Sequence, residues 1–421
     1  MYNFQEIIKY IDRSNQTELA IQEYIQQKTN HELNENDIAI LNKLLKHLHD
    51  FHPKPIIAET DLQGNIIYVN DEFLNITKYS RDEIIGENIR ILRSGHVPTG
   101  VYQNLWSTIS LGKAWIGELK NRTKDYENYW VSIFIAPIFN SDNQIVNYWS
   151  VAFDITERVK QKEAIEQKQN DIMESLRYAK RIQRTILPDK KAMDEVFDSY
   201  FVNFKPKDVV SGDFYWFNQV VDKAFVAVVD CTGHGVPGAF MSLIGYNLLN
   251  QIVIQKGIHE PGQILTELHN QVRATLKQDA ADSKSRDGMD VCLVAVCKYV
   301  NKFEYAGANR PLLILKGDEI IEIKPTKYAI GGEQMDEERT YQNHEFKYEP
   351  GDTIYMFSDG FVDQFGGPEF KKFSTKRLKE IILANRHESL STQRALFNIV
   401  WKDWKGDDEQ TDDATMVAIR F

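Results

Sequence analysis

The apolar positions change period along the 421 residues, and each change predicts a different kind of element. Over residues 1–50 they recur at three- and four-residue steps: Ile7, Ile8 and Ile11, then Leu19, Tyr24 and Ile25, then Leu41, Leu44, Leu45 and Leu48. That is the spacing of helices with one buried stripe. From 51 to 157 the pattern becomes strand-like. IIAETDLQGNIIYVNDEFLNITKYS predicts strand, turn, strand and short helix, and GELKNRTKDYENYWVSIFIAPIFNSDNQIVNYWSVAFDIT predicts three strands joined by polar turns. Residues 158–187 contain no Gly or Pro. There Ile165, Ile172, Ala179 and Ile186 stand seven apart, with Gln169, Leu176 and Gln183 four places after the first three. This is a heptad seam with polar interruptions. It predicts either a weakened parallel coiled coil or one amphipathic helix lying on the next domain. From 188 to 421, short apolar strand runs alternate with amphipathic stretches such as GVPGAFMSLIGYNLLNQIVIQ, a predicted helix.

The chain is long enough for two or three domains, and its 42% hydrophobic content supports real cores. A net charge of −11 argues against sequence-independent nucleic-acid binding, which depends on neutralising phosphates. The three cysteines, Cys231, Cys292 and Cys297, form no CxxC pair, so neither a disulfide framework nor a zinc site is expected. The first residues lack a basic start followed by an apolar stretch, and no window of eighteen apolar residues occurs. We therefore expect a cytoplasmic protein with no signal peptide and no membrane span.

The chemistry concentrates in acids at the ends of strand-like runs. These are Asp213 in VVSGDFYWF, Asp230 in AFVAVVDCTGHG, Asp359 in TIYMFSDGF, and Asp412 with Asp413 in TDDATMVAIRF. A carboxylate where a buried strand meets a turn lies at the rim of a sheet. Singly, such residues are ordinary turn material. Several converging on one rim would repel, and hard divalent cations with oxygen ligands are the usual remedy.

Taken in order, SGD, DxxGHG, AGANRPLL, SDG and DDAT resemble the motifs of the metal-dependent (PPM, type-2C-like) protein serine/threonine phosphatases of the SpoIIE branch, across 188–421. The resemblance implies an α-β-β-α sandwich with two divalent ions, manganese or magnesium. A metal-activated water would attack phosphorus without a covalent intermediate. It also implies a phosphorylated protein substrate, which in relatives is often an anti-sigma-factor antagonist. On the matching positions, Asp230 bridges both ions and the backbone carbonyl of Cys231, Gly in most relatives, supports them. Asp359 and Asp412 hold the first ion and Asp213 contributes to the second, with Asp413 as an outer acceptor. Asp363 and Asp290 are either ligands of a third ion or solvated carboxylates. His234 is a candidate acid for the leaving oxygen. Lys205, Lys207 and Arg310 are candidate phosphate contacts or plain solvated cations.

Residues 51–157 resemble a PAS sensor domain. Asn70 falls at the start of its first helices, and Asp154 and Thr156 of DITER end its last strand and begin the output helix. Trp115, Asn121 and Trp130 fall at places typical of flavin-binding relatives. A ligand-free, dimerising relay is the alternative. Ile89 occupies the place of the reactive cysteine of blue-light receptors, which excludes photoadduct chemistry there. The expected architecture is thus multidomain α+β: a helical N-terminal region (1–50), a PAS domain (51–157), a coiled-coil linker (158–187) and a phosphatase domain (188–421). The expected function is a signal-regulated, homodimeric protein serine/threonine phosphatase. The rivals are a catalytically silent phosphatase-like scaffold and a PAS redox sensor.

Overall fold

A computed structural model describes residues 54–140, 142–279, 285–332 and 338–421, so the predicted helical region 1–50 lies outside the described residues. The chain divides into two compact units, the first reaching to Asn170 and the second beginning at Asp171.

In the first unit, β1 (Ile56–Thr60), β2 (Ile66–Val69), β3 (Trp115–Arg122), β4 (Asn128–Phe139) and β5 (Ile145–Asp154) form an antiparallel sheet of order β2-β1-β5-β4-β3. Three helices, α1 (Asp71–Thr77), α2 (Arg81–Ile84) and α3 (Thr99–Ser110), fall between β2 and β3. Strand alternation sends Ile56, Ala58, Leu119, Val131 and Ala152 into a cluster with Phe73, Leu105 and Ile109 of the helices. Ile57, Phe134, Trp149, Val151 and Phe153 make a second cluster. The DLQGN turn closes because the Asp61 carboxylate accepts from the backbone N–H of Gln63 (2.9 Å) and Asn65 (2.8 Å). Gly64 there has φ +83°, and a Cβ on it would meet the Trp106 ring at 2.9 Å. Asn70 caps α1: its Oδ1 accepts from Phe73 N and Ile57 N, both at 3.0 Å, and its Nδ2 donates to the Pro55 carbonyl at 2.7 Å.

β5 ends at Asp154, whose carboxylate accepts from Thr156 N–H at 2.8 Å. The Thr156 hydroxyl in turn accepts from Trp130 N–H of β4 at 2.8 Å. Strand end, neighbouring strand and the first residue of α4 (Thr156–Ile186) are therefore one hydrogen-bonded corner. α4 is a continuous helix of 31 residues. Its seam residues Ile165 and Ile172 are exposed, and of its described residues only Gln183 is buried.

The second unit holds α5 (Lys190–Asp194), α6 (Gly235–Asn250), α7 (Pro261–Thr275), α8 (Asp359–Val362), α9 (Ser374–Ala384) and α10 (Leu390–Lys405). Its strands are β6 (Ser199–Lys205), β7 (Phe214–Val220), β8 (Lys223–Cys231), β9 (Gly288–Cys297), β10 (Lys302–Ala308), β11 (Leu312–Lys316), β12 (Glu319–Ile323), β13 (Ile330–Gly331), β14 (His344–Lys347), β15 (Thr353–Phe357), β16 (Phe365–Gly366), β17 (Lys371–Lys372) and β18 (Ala414–Arg420). Two sheets form, β14-β10-β9-β8-β7 with β13 on β9, and β12-β11-β15-β18-β6; β16 and β17 pair separately. Val226, Val228, Cys292 and Val294 of one sheet pack against Ile354, Met356, Val417 and Ile419 of the other. The outer faces take helices: Ala227, Val229 and Leu293 meet Leu249, Leu265 and Leu268, while Phe357, Met416 and Ala418 meet Leu378, Phe397 and Trp401. This is the four-layer α-β-β-α sandwich, with both faces of the central strands β8, β9, β15 and β18 buried. For that reason these strands read as unbroken apolar runs.

Candidate active site

β8 and β9 run antiparallel with Asp230 directly opposite Asp290. Like charges in that position repel. Arg310, following Asn309 at φ +58°, answers them from the turn after β10. Its Nη2 lies 2.9 Å from Asp230 Oδ2, 3.0 Å from Asp290 Oδ2 and 2.6 Å from Asp359 Oδ2. Asp359 comes from the other sheet, as the first residue of α8 after the fully buried run of β15. Its backbone N–H also donates to Asp230 Oδ2 at 3.4 Å. One guanidinium thus ties together the rims of both sheets. Asn309 Nδ2 steadies Asp290 through Oδ1 at 2.9 Å.

Asp213 is also buried, at 2% exposure, and its Oδ2 has no hydrogen-bond partner. Burial first, and the neighbouring Asp230 charge second, push its carboxyl well above the usual range. Asp230 is pushed up to about 8 by burial, with Arg310 opposing and Asp359 and Asp290 adding to the rise. Asp290 is raised by burial against the pull of Arg310. Burial works against the charge of Arg310, but the three carboxylates outweigh it and hold the guanidinium protonated beyond its ordinary range. One internal cation does not balance this much buried acid.

The remaining predicted residues separate into those at the rim and those turned elsewhere. Asp413 accepts from the backbone N–H of Lys207 and of Gly212, each at 2.7 Å, so it anchors the SGD segment with both oxygens. Asp412 Oδ1 accepts from Asp413 N–H at 2.8 Å, and its Cβ lies 3.1 Å from where a Cβ on Gly360 would stand, beside the Asp359 turn. The Cys231 thiol is buried and pushed well up by burial, then by Asp230. Its carbonyl oxygen would come within 3.3 Å of a Cβ on Gly212. His234 Nδ1 pairs with Asp208 Oδ2 at 2.6 Å and its Nε2 lies 3.1 Å from Lys207 Nζ. Its bonds therefore go to that pair, and Asp208 had no sequence signal. Two further candidates have partners away from the rim acids. Lys205 sits over the Trp401 ring at 5.2 Å, where burial lowers its pKa, so its ammonium faces the α10 layer. Asp363 pairs with Lys372 at 2.7 Å.

Among the described residues no three acidic, histidine or cysteine side chains stand ready-made around a metal position. The residues nevertheless fit divalent ions. The donors are all oxygen, the carboxylates outnumber their internal cation, and a buried Asp213 oxygen lacks any partner.

In the first unit a cavity of about 110 Å³ is lined by Ile89 and Asn121 among others. Trp115 belongs to the surrounding core and donates to Asn104 Oδ1 at 2.9 Å. Trp130 does not line the cavity; it packs on the second cluster, with Lys120 over its ring at 5.6 Å. Ligand pockets ordinarily begin near ~300 Å³. As arranged, the residues do not fit a flavin.

A family model described as Stage II sporulation protein E (SpoIIE) matches residues 221–421, and a PAS domain model matches residues 53–157. The solved SiaA-PP2C domain of Pseudomonas aeruginosa is 33% identical and covers 60% of this chain and 98% of its own, with a TM-score of 0.55. Phosphoserine phosphatase RsbU of Bacillus subtilis is 26% identical over 263 residues, covering 60% of this chain and 71% of that protein. The Nitrogen fixation regulatory protein of Klebsiella oxytoca is 35% identical over 100 residues, 24% of this chain. The chain spans about a fifth of the length of that relative and of the Aerotaxis receptor of Escherichia coli. A PAS sheet, a two-sheet sandwich with an acidic rim and a 33% identical solved PP2C domain agree: the chain belongs to the SpoIIE-type, PP2C-like phosphatase family and carries a PAS domain before that fold.

Proposed function

We propose that this protein removes phosphate from phosphoserine or phosphothreonine on a partner protein, under control of its PAS domain. One observation carries the reading: Asp230, Asp290 and Asp359, from two sheets, meet at one point at the sandwich rim. Nothing in a plain binding surface calls for that crowding. Asp213, Asp230, the Cys231 carbonyl, Asp359 and Asp412 would hold two divalent ions, manganese or magnesium. When bound, such ions lower the pKa of a water and neutralise phosphoryl oxygens. The chain's own part is to hold these acids aligned at the rim, with Arg310 as the fork placed for the phosphoryl group. The similarity to RsbU, a phosphoserine phosphatase, supports the substrate class. An anti-sigma-factor antagonist is the partner we would try first.

The exposed Ile165 and Ile172 of α4 support a paired helix in a homodimer, with the PAS corner at Thr156 as its input. No helix among the described residues is long and apolar enough to cross a membrane, which is compatible with a cytoplasmic place. A second reading, a silent partner-binding domain, is favoured by Arg310 neutralising the acids from within. Phosphate release from p-nitrophenyl phosphate and a phosphoserine peptide, with manganese, with magnesium and with chelator, separates the two. Turnover that needs the metal and vanishes in Asp230→Asn supports the enzyme. A wild-type chain inactive with both metals and both substrates leaves the silent domain.

A further inference from the structure

Gln183 is out of character with its helix. Every other residue of α4, its isoleucines included, is exposed or half-exposed, yet this one uncharged polar residue is buried, in the last turn. Its amide is used at both ends. Nε2 donates to the Ser211 carbonyl at 2.6 Å and to Ser242 Oγ at 3.0 Å, and Oε1 accepts from Ser211 N–H at 3.1 Å. Only a primary amide donates and accepts at once in this way. Ser211 stands two residues before Asp213, and the intervening Gly212 N–H is held by Asp413. Ser242 is on α6, which starts at the end of the segment carrying Asp230. Gly238 of α6 lies against Gly212 so closely that a Cβ would come within 2.8 Å of the Gly212 Cα.

We propose that Gln183 is a positioning residue that locks the end of α4 in one register against the Asp213 segment and α6, so that movement of α4 changes how well the acidic rim binds metal. The inference rests on the metal-dependent reading above. A helix that slides by one residue moves about 1.5 Å and turns about 100°. The residues brought into place, Ile182 or Arg184, offer no acceptor for Ser211 N–H. Ser211 would be left with buried, unpaired backbone groups, a state proteins avoid. α4 therefore has two choices, engaged with Asp213 in place or disengaged with Asp213 released. A two-state contact of this kind is what a relay requires.

The test uses the full chain with Gln183→Leu, of similar size without hydrogen bonds, and Gln183→Glu, which keeps the acceptor and loses both donors. Manganese binding is measured by titration calorimetry, turnover at saturating manganese, thermal unfolding in chelator, and amide exchange over 209–213 and 239–246. We expect manganese binding about tenfold weaker, within the ~5–150-fold range of ordinary site coupling. Turnover at saturating metal should stay within about twofold and chelator unfolding within a few degrees, which a merely structural role would not produce. Exchange should rise in both segments and stay unchanged over 56–154. Unchanged manganese affinity in both variants, or unchanged exchange at 209–213, overturns the proposal. If wild type binds no manganese, the phosphatase reading fails, and exchange alone then decides the lock. Should the leucine variant not fold, the glutamate variant carries the same readouts.

Discussion

Replacing Arg310 with methionine removes the one cation shared by three carboxylates while keeping a long apolar stem. The guanidinium contacts Asp230, Asp290 and Asp359 at 2.6–3.0 Å and is 14% exposed. Each pair is worth about 4 kcal/mol gross at an effective dielectric constant near 20. Desolvation cancels much of this. The Asp359 arm, 38% exposed, contributes least because solvent screens it. Breaking a buried pair from one side costs about 3–5 kcal/mol, because charge is left uncompensated. At roughly 2–4 °C per kcal/mol for a domain of this size, Arg310→Met should lower the chelator Tm of the phosphatase unit by about 6–20 °C. Saturating manganese should close at least half of that gap, since the ion supplies the missing positive charge and stabilises the variant more than wild type. The assay is differential scanning calorimetry of both proteins with chelator and with manganese. Equal losses under the two conditions would refute the reasoning, because Arg310 would then be plain packing.

Three further outcomes follow from the same contacts. Asp230 holds its proton to about 8 in the folded chain and to an ordinary 3.8 unfolded, so between those values the unfolded state binds fewer protons and stability in chelator falls as pH rises. The slope is at most about 1.4 kcal/mol per pH unit. Asp230→Asn should flatten it in pH-dependent unfolding, and an unaltered slope in the variant would contradict the assignment. Asn70→Ala removes three hydrogen bonds at the start of α1 and should destabilise the PAS unit by about 1–2 kcal/mol with the phosphatase transition unmoved; two transitions shifting together in calorimetry would argue otherwise. Gly238→Ala puts a Cβ against the Gly233 carbonyl and the Gly212 backbone, so α6 must lift off the rim. Manganese affinity and turnover should then fall together, and a fully active variant would show that α6 is not needed at that distance.

Much of the fold was readable because its signals are local. Unbroken apolar runs ending in acids mark strands buried on both faces that stop at a rim, and in 353–357 and 414–420 the structure has those strands with Asp359 and Asp412 beside their ends. The Asp154 and Thr156 corner was legible for the same reason, since its partners lie within two residues or on the next strand. Residues 165–186 could be read as helix, though not as to what covers it.

Tertiary structure decided which of these acids act together. Asp290 carried a weak signal, yet strand register sets it opposite Asp230. Arg310 resembled any surface cation in sequence, but the turn at Asn309 aims it at three carboxylates. Lys205 is the last residue of β6 and lies over Trp401 of the α10 layer, whereas Lys207, beyond the end of the strand, brings its ammonium to 3.1 Å from His234 Nε2. Gln183, seemingly a flaw in a heptad, is a buried hydrogen-bonding partner for Ser211 and Ser242. Period and strand ends are properties of a segment alone, whereas register, side-chain direction and burial of charge depend on the neighbour that folding brings alongside.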